Sequence, residues 1–131
     1  MEIISIHTEG RSSFMDITGL VNKEVEKEGV EKGICYIFIP HTTAGVTINE
    51  AADPDVRNDI EGALDKLIPW NDNYRHREGN SAAHIKATLT GNSEMVFINE
   101  GRLVLGTWQG IFFCEFDGPR NRQIWVEIVQ R

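Results

Sequence analysis

From Glu94 onward the chain changes its period. "EMVFIN", "RLVLGTW", "GIFFCEFD" and "QIWVEIVQ" are short runs rich in β-branched and aromatic residues, punctuated by the turn-forming stretches "NEGR", "QG" and "DGPRNR". Runs of this length, composition and spacing fit strands that pair with close neighbours, and they fit helices poorly. The last forty residues therefore constrain the fold more than any other part of the chain. They demand a sheet, and everything upstream must pack on it.

Upstream the signals are mixed. "EIISIHT" alternates as a first strand. Between residues 17 and 28, Ile17, Leu20, Val21 and Val25 recur at helical spacing, with Asp16 placed to cap and Gly29 to stop. "KEVEKEG" reads as the solvated face of that helix. "GICYIFIP" is a buried strand closed by Pro40, and "GVTIN" a second extended run. "DPDVRNDIEGALDKLIP" carries a full helix signature. Asp53 is the cap, Pro54 the first helical residue and Asp55 a complement to the dipole, while Val56, Ile60, Leu64 and Leu67 form one apolar stripe. Residues 68–80 are a polar, aromatic loop; Ser81 is placed to cap a helix to about Leu89, with Gly91 beyond it. The expected architecture is one α+β domain over residues 1–131: a mixed, largely antiparallel sheet or sandwich with about three helices.

Charge and composition narrow the partners. A net charge of −7 argues against nucleic acid and anionic membrane as ligands. The acid excess is confined to residues 1–74, with 14 acids and 6 bases, whereas residues 75–131 hold 6 acids and 7 bases. An arginine-bearing site for a small anion fits the second half. No apolar run is long enough to span a bilayer and no basic-then-apolar leader opens the chain. Cys35 and Cys114 lie within apolar runs and read as buried thiols in a reducing compartment, so cytoplasm is expected. No strand leads into a glycine-rich phosphate loop.

Three groups of residues could carry chemistry. His41 follows the strand closed by proline, His76 lies in the polar loop, and His84 falls at the third helical position if Ser81 is the cap. Near the positive end of a helix dipole an imidazole stays neutral, the form a metal needs, and three histidines can hold an ion with one position left open. The spacing of His76 and His84 matches no standard zinc pattern, and ordinary hydrogen-bonded loop histidines are the alternative. The second group is "NEAADPD". Asn49, Glu50, Asp53 and Asp55 can hold a magnesium ion or supply a general base, or they serve as cap and solvated surface. The third is "LGTWQG", where Thr107 and Gln109 suit a polar ligand and Trp108 a core or subunit contact. Arg75 and Arg77 flank His76, Lys86 follows His84, and Arg120 and Arg122 open the last strand, which together favour a phosphorylated small molecule.

The ordered series "HTTAGVTINEAADPDVRND", "YRHREGN", "AHIKATLTG" and "GRLVLGTWQGIFFCEFDGPRNR" resembles the YjbQ-like family, also described as secondary thiamine-phosphate synthases. The likeness runs from about Gly33 to the C-terminus, and "GTWQG" followed by Glu115 is close to a family signature. Ala51 stands where relatives often have asparagine. The resemblance implies a homotrimer with sites near subunit boundaries and a divalent metal, zinc or magnesium, held by His41, His76 and His84. It also implies a weak thiamine-phosphate synthase activity: a pyrimidine diphosphate joins a thiazole phosphate and pyrophosphate leaves. In that reading Glu50 and Asp53 act on protons or water, while Asn49, Arg75, Thr107 and Gln109 bind substrate. Two alternatives use the same residues: a metal-dependent hydrolase of a small phosphoester or ester, and a trimeric metal- or ligand-binding protein with incidental catalysis.

Overall fold

A computed structural model describes all of residues 1–131. In chain order the elements are β1 (Glu2–His7), β2 (Ser13–Asp16), α1 (Thr18–Glu28), β3 (Gly33–Phe38), β4 (Ala44–Glu50), α2 (Pro54–Leu67), α3 (Ser81–Thr90), β5 (Ser93–Asn99), β6 (Arg102–Leu103), β7 (Gln109–Glu115) and β8 (Asn121–Gln130). The α+β expectation and the three helices are borne out. The strands form two sheets, a larger one ordered β1-β8-β3-β5-β6 and a smaller one ordered β2-β7-β4. Every pairing is antiparallel.

Strand alternation builds the main core. Cys35 and Ile37 of β3, Val96 and Ile98 of β5, and Ile124 and Val126 of β8 turn inward from the larger sheet. They meet Val46, Ile111 and Phe113 of the smaller sheet, and Ile17, Val21 and Val25 from the α1 segment close the space between. On its other face the smaller sheet presents Phe112 and Cys114, which join Phe14, Phe116 and Ala83 in a second cluster, with Ile60 and Leu64 of α2 packed on it. Strand β7 is thus covered on both sides, which is why "GIFFCEF" is almost unbroken apolar sequence. Both cysteines are free and buried. Burial lifts the Cys35 thiol to about 11 and pushes Cys114 higher still. No helix is long and apolar enough to cross a membrane.

Several local expectations are corrected. The strand β2 is an addition: four residues are too short to show a period. Gln109 and Gly110 begin β7; the turn lies earlier, where Gln109 N donates to Gly106 O. "RLVLGTW" contributes a two-residue strand only. The cap of α1 is Ile17, although Asp16 Oδ1 still accepts from Thr18 N at 2.9 Å. Asn80 precedes α3, so Ser81 is its first residue and His84 its fourth. His84 N already donates to Asn80 O, so the dipole argument for a neutral ring loses force there. Asp53, Pro54, Gly29 and Gly91 sit as expected, with Gly29 in the left-handed region that glycine tolerates. The α2 stripe is only half covered, and Leu67 is exposed.

Candidate functional site

Three segments meet at one end of the sandwich. After β3, Pro40 offers no N–H to continue the ladder, and the chain crosses through His41, Thr42 and Thr43 to begin β4. The 68–80 loop delivers His76 and enters α3, whose first turn carries His84. The connection from β7 to β8 brings Asp117 and Arg120, and the start of β8 brings Arg122. Together they enclose a cleft of about 480 Å³ whose lining, apart from Pro40, is polar or charged. His41, His76 and His84 all line it, and Glu78, Asn80 and Asp117 add polar oxygens. Two side cavities share the histidines. One, of about 490 Å³, lies between His41 and the outer turn of α3; the other, of about 340 Å³, holds Arg75 against His76 and His84.

His41 is held by its backbone surroundings. Its Nε2 accepts a hydrogen bond from Gln123 N at 2.9 Å. A neutral imidazole has one ring lone pair, so Nδ1 carries the proton and is the ring's donor. Burial, then the Arg122 charge, lowers its pKa below 6.5. The rings of His76 and His84 stand edge to face with centroids 5.5 Å apart. Rings that share one tetrahedral zinc through nitrogens about 2.0–2.1 Å from it sit with centres roughly 5 Å apart, so this pair fits two ligand positions. No three His, Cys, Asp or Glu side chains close into a coordinating group within the chain, and the Nε2 lone pair of His41 is engaged by Gln123.

Behind the cleft lies a buried ion pair. Glu115 is 0% exposed and Arg122 5%. Arg122 donates through Nε to Glu115 Oε1 at 2.8 Å and through Nη2 to Glu115 Oε2 and to Thr43 Oγ1. Thr8 Oγ1 donates to Glu115 Oε1 at 2.6 Å, and the N–H groups of Phe116 and Asp117 donate to Oε2 at 3.1 Å. Burial pushes the Glu115 carboxyl up, but the bonds from Arg122, Thr8 and Asp117 outweigh it and leave its pKa below the ordinary value. Asp117 Oδ2 accepts from Asn80 Nδ2 at 2.8 Å and from Arg120 Nη2 at 3.1 Å, tying the loop, helix start and last strand together.

The other expected residues lie elsewhere. Asn49 and Glu50 end β4 and pair with Gly110 and Gln109 of β7. The histidine cleft adjoins the start of β4, and six strand steps separate the two ends by about 20 Å. Asn49 Oδ1 accepts from Glu50 N, Glu50 Oε2 from Ala52 N, and Asp53 Oδ1 from Asp55 N. Gln109 Oε1 accepts from Gly106 N, closing a turn that leaves Thr107 and Trp108 exposed. Within one chain these residues do not reach the cleft. Lys86 also leaves the anion group: it is buried and paired with Asp65. Sequence reasoning missed Asn80, Asp117 and Thr43, whose single signal is their position beside chain reversals.

Known proteins match this chain along nearly its whole length. The model of the family described as UPF0047 protein YjbQ-like matches residues 2–131. UPF0047 protein MJ1081 of Methanocaldococcus jannaschii is 52% identical over 124 residues, covering 95% of this chain and 90% of that protein. UPF0047 protein YugU of Bacillus subtilis is 46% identical over 130 residues and 98% of each chain. A crystal structure of a YjbQ/UPF0047 family protein from Clostridium acetobutylicum superposes with a TM-score of 0.97 at 53% identity, over 98% of this chain and 100% of that one. A protein of unknown function from Sulfolobus solfataricus gives 0.94 at 37% identity, over 99% and 96%. The chain belongs to the UPF0047 YjbQ-like family.

Proposed function

We propose that the cleft lined by His41, His76, His84, Arg120 and Arg122 is the active site of an enzyme that transfers a group on a small phosphorylated molecule. The observation that carries this reading is the convergence of three imidazoles and two guanidinium groups on one cavity with an otherwise polar lining. Guanidinium groups recognise phosphate oxygens, and neutral imidazoles bind metals or move protons. Zinc, which takes imidazole nitrogens, would be held by His76 and His84, with His41 as third ligand once its bond from Gln123 is released; magnesium would instead need the oxygens of Glu78 and Asp117. When bound, such an ion neutralises charge that develops on a departing phosphate or pyrophosphate. The chain's own residues orient that phosphate and keep the pocket polar. The reaction to test first joins a pyrimidine diphosphate to a thiazole phosphate and releases pyrophosphate.

Glu50, Asp53, Asn49, Thr107 and Gln109 do not reach the cleft within one chain, so they enter this reading only where assembly brings the far end of β4 from a neighbouring copy to it. What favours assembly is the outer face of the larger sheet. Tyr36, Phe38, Met95, Phe97 and Val129 lie exposed there on adjacent strands. Apolar surface of that extent marks an interaction site, and a homotrimer is the state we assign. Free buried thiols and a net charge of −7 suit a cytoplasmic protein acting on small molecules.

The test is metal analysis and turnover of His84→Ala beside the parent. Loss of bound metal and of transfer, with assembly unchanged, is expected. Normal turnover by a metal-free His84→Ala protein refutes the reading. Hydrolysis of phosphoesters with no transfer would favour the hydrolase alternative. Metal binding with no turnover on any substrate would favour the binding-protein alternative.

A further inference from the structure

We propose that Arg122 is the seat of a phosphoryl oxyanion in this cleft, with Arg120 as its second arm, and that Glu115 is the positioning residue that aims Arg122. The proposal rests on the functional reading above and names where that site holds its phosphate.

A guanidinium has five N–H donors in a fixed fork. Arg122 spends three of them inside the protein, Nε on Glu115 and Nη2 on Glu115 and Thr43. The two hydrogens on Nη1 meet no acceptor in the chain. Nη1 is not sealed in the core either, since the only buried side-chain polar atoms without partners are Glu24 Oε2 and Asn80 Oδ1. The cavity that Arg122 lines is the histidine cleft, so Nη1 opens there. Arg120 repeats the pattern: Nε donates to Asp117 O, Nη2 donates to Asp117 Oδ2, and Nη1 is left over. Two guanidinium groups two residues apart thus each use one edge to fix themselves and offer the other to the same cavity.

Glu115 makes the first of these rigid. Its carboxylate accepts from Thr8, Phe116 N and Asp117 N as well as Arg122, so both oxygens are committed and the guanidinium plane is clamped before any ligand arrives. A donor fork held in place without ligand binds an oxyanion at little ordering cost. A tetrahedral phosphoryl group has separate oxygens for the two Nη1 groups; a planar carboxylate serves two forks at different angles less well.

The experiment uses the full-length protein labelled with ¹⁵N-arginine and titrated with inorganic phosphate, pyrophosphate and acetate. Phosphate is expected to move the Arg122 and Arg120 side-chain resonances saturably and acetate to leave them nearly unmoved. Arg122→Lys keeps the charge opposite Glu115 but deletes Nη1. Phosphate affinity by calorimetry should fall roughly tenfold to a hundredfold, the size of one charge-assisted hydrogen bond. In Glu115→Gln the Arg122 Nε resonance should broaden and phosphate affinity fall, a signature that loss of packing elsewhere would not give. Arg122 resonances unmoved at saturating phosphate would overturn the proposal without any variant having to fold. Parental affinity in Arg122→Lys, or equal affinity for acetate, would overturn it too. Phosphate bound at Arg122 with no transfer activity defeats the functional reading and leaves the seat standing; transfer with Arg122 unmoved does the reverse.

Discussion

Replacing Arg122 by methionine should destabilise the protein heavily at neutral pH and far less in acid. The substitution keeps an unbranched apolar stem but removes the guanidinium and its donors to a carboxylate that is 0% exposed. Glu115 would keep Thr8 and the N–H groups of Phe116 and Asp117, so it stays partly solvated by the protein. Breaking a buried ion pair from one side costs about 3–5 kcal/mol, and that remaining set of donors argues for the lower half of the range. For 131 residues an unfolding entropy of about 2.1 cal/mol/K per residue converts 1 kcal/mol into roughly 3–4 °C, so Tm should fall by about 10–15 °C. The pH dependence tests the cause. In the parent the Glu115 carboxyl titrates below its ordinary 4.5, so its stabilisation is present above that value and is lost as pH falls through the folded pKa. Without Arg122 the hydrogen bonds and charge that lower the Glu115 pKa are largely lost and burial pulls it upward, so the variant's deficit shrinks as pH falls. Urea unfolding followed by circular dichroism at neutral and at acid pH reads both limbs. A deficit below about 1 kcal/mol at neutral pH, or one that grows in acid, would refute the account.

Gly33→Ala should cost about 1–3 kcal/mol, because an added Cβ would lie 2.3 Å from the backbone oxygen of Val129 on the paired strand. Gly62→Ala, in the exposed middle of α2 with nothing within 4 Å, should instead stabilise by about 0.5–1 kcal/mol; chemical denaturation of both separates the two effects. Phe97→Asp places a charge on the exposed apolar sheet face, where Phe97 is 58% exposed, and should turn an oligomer into a monomer by sedimentation. An unchanged mass would remove that face from the assembly. Burial and Arg122 hold the folded His41 pKa below 6.5, so the unfolded chain takes up a proton first. Stability should therefore fall as pH drops from 6.5 through the folded value, and His41→Asn should lose that component of the pH profile.

The parts of the fold that were legible are those in which local pattern and burial agree. β3, β5 and β8 alternate because one face of the larger sheet meets the core and the other does not. The start of α2 is written in Asp53 and Pro54, whose effects on the backbone are local. Strand order was not legible. β7 and β8 follow one another in sequence yet enter different sheets, and β2 joins the smaller sheet with only four residues. Such pairings are decided by which faces must be covered, and no short window of sequence carries that information.

The same distinction separates Arg75 from Arg122. Proximity to His76 favoured Arg75, but position in sequence says nothing of whether a guanidinium is held or free, and Arg75 lies exposed on a loop. Arg122 carries the stronger signal. In β8 the inward positions run Arg122, Ile124, Val126, so the arginine occupies the core phase of a strand whose other inward residues are apolar. A charge in that phase requires a buried counter-ion and enough hydrogen bonds to replace water. The run "GIFFCEF" supplies one acid, Glu115, in a strand covered on both faces. An arginine in the core phase of one strand and a lone carboxylate in the apolar run of the strand before it imply each other. A pair so costly to bury, with one guanidinium edge left over at a polar cleft, is where the physical reading of this sequence points most directly to function.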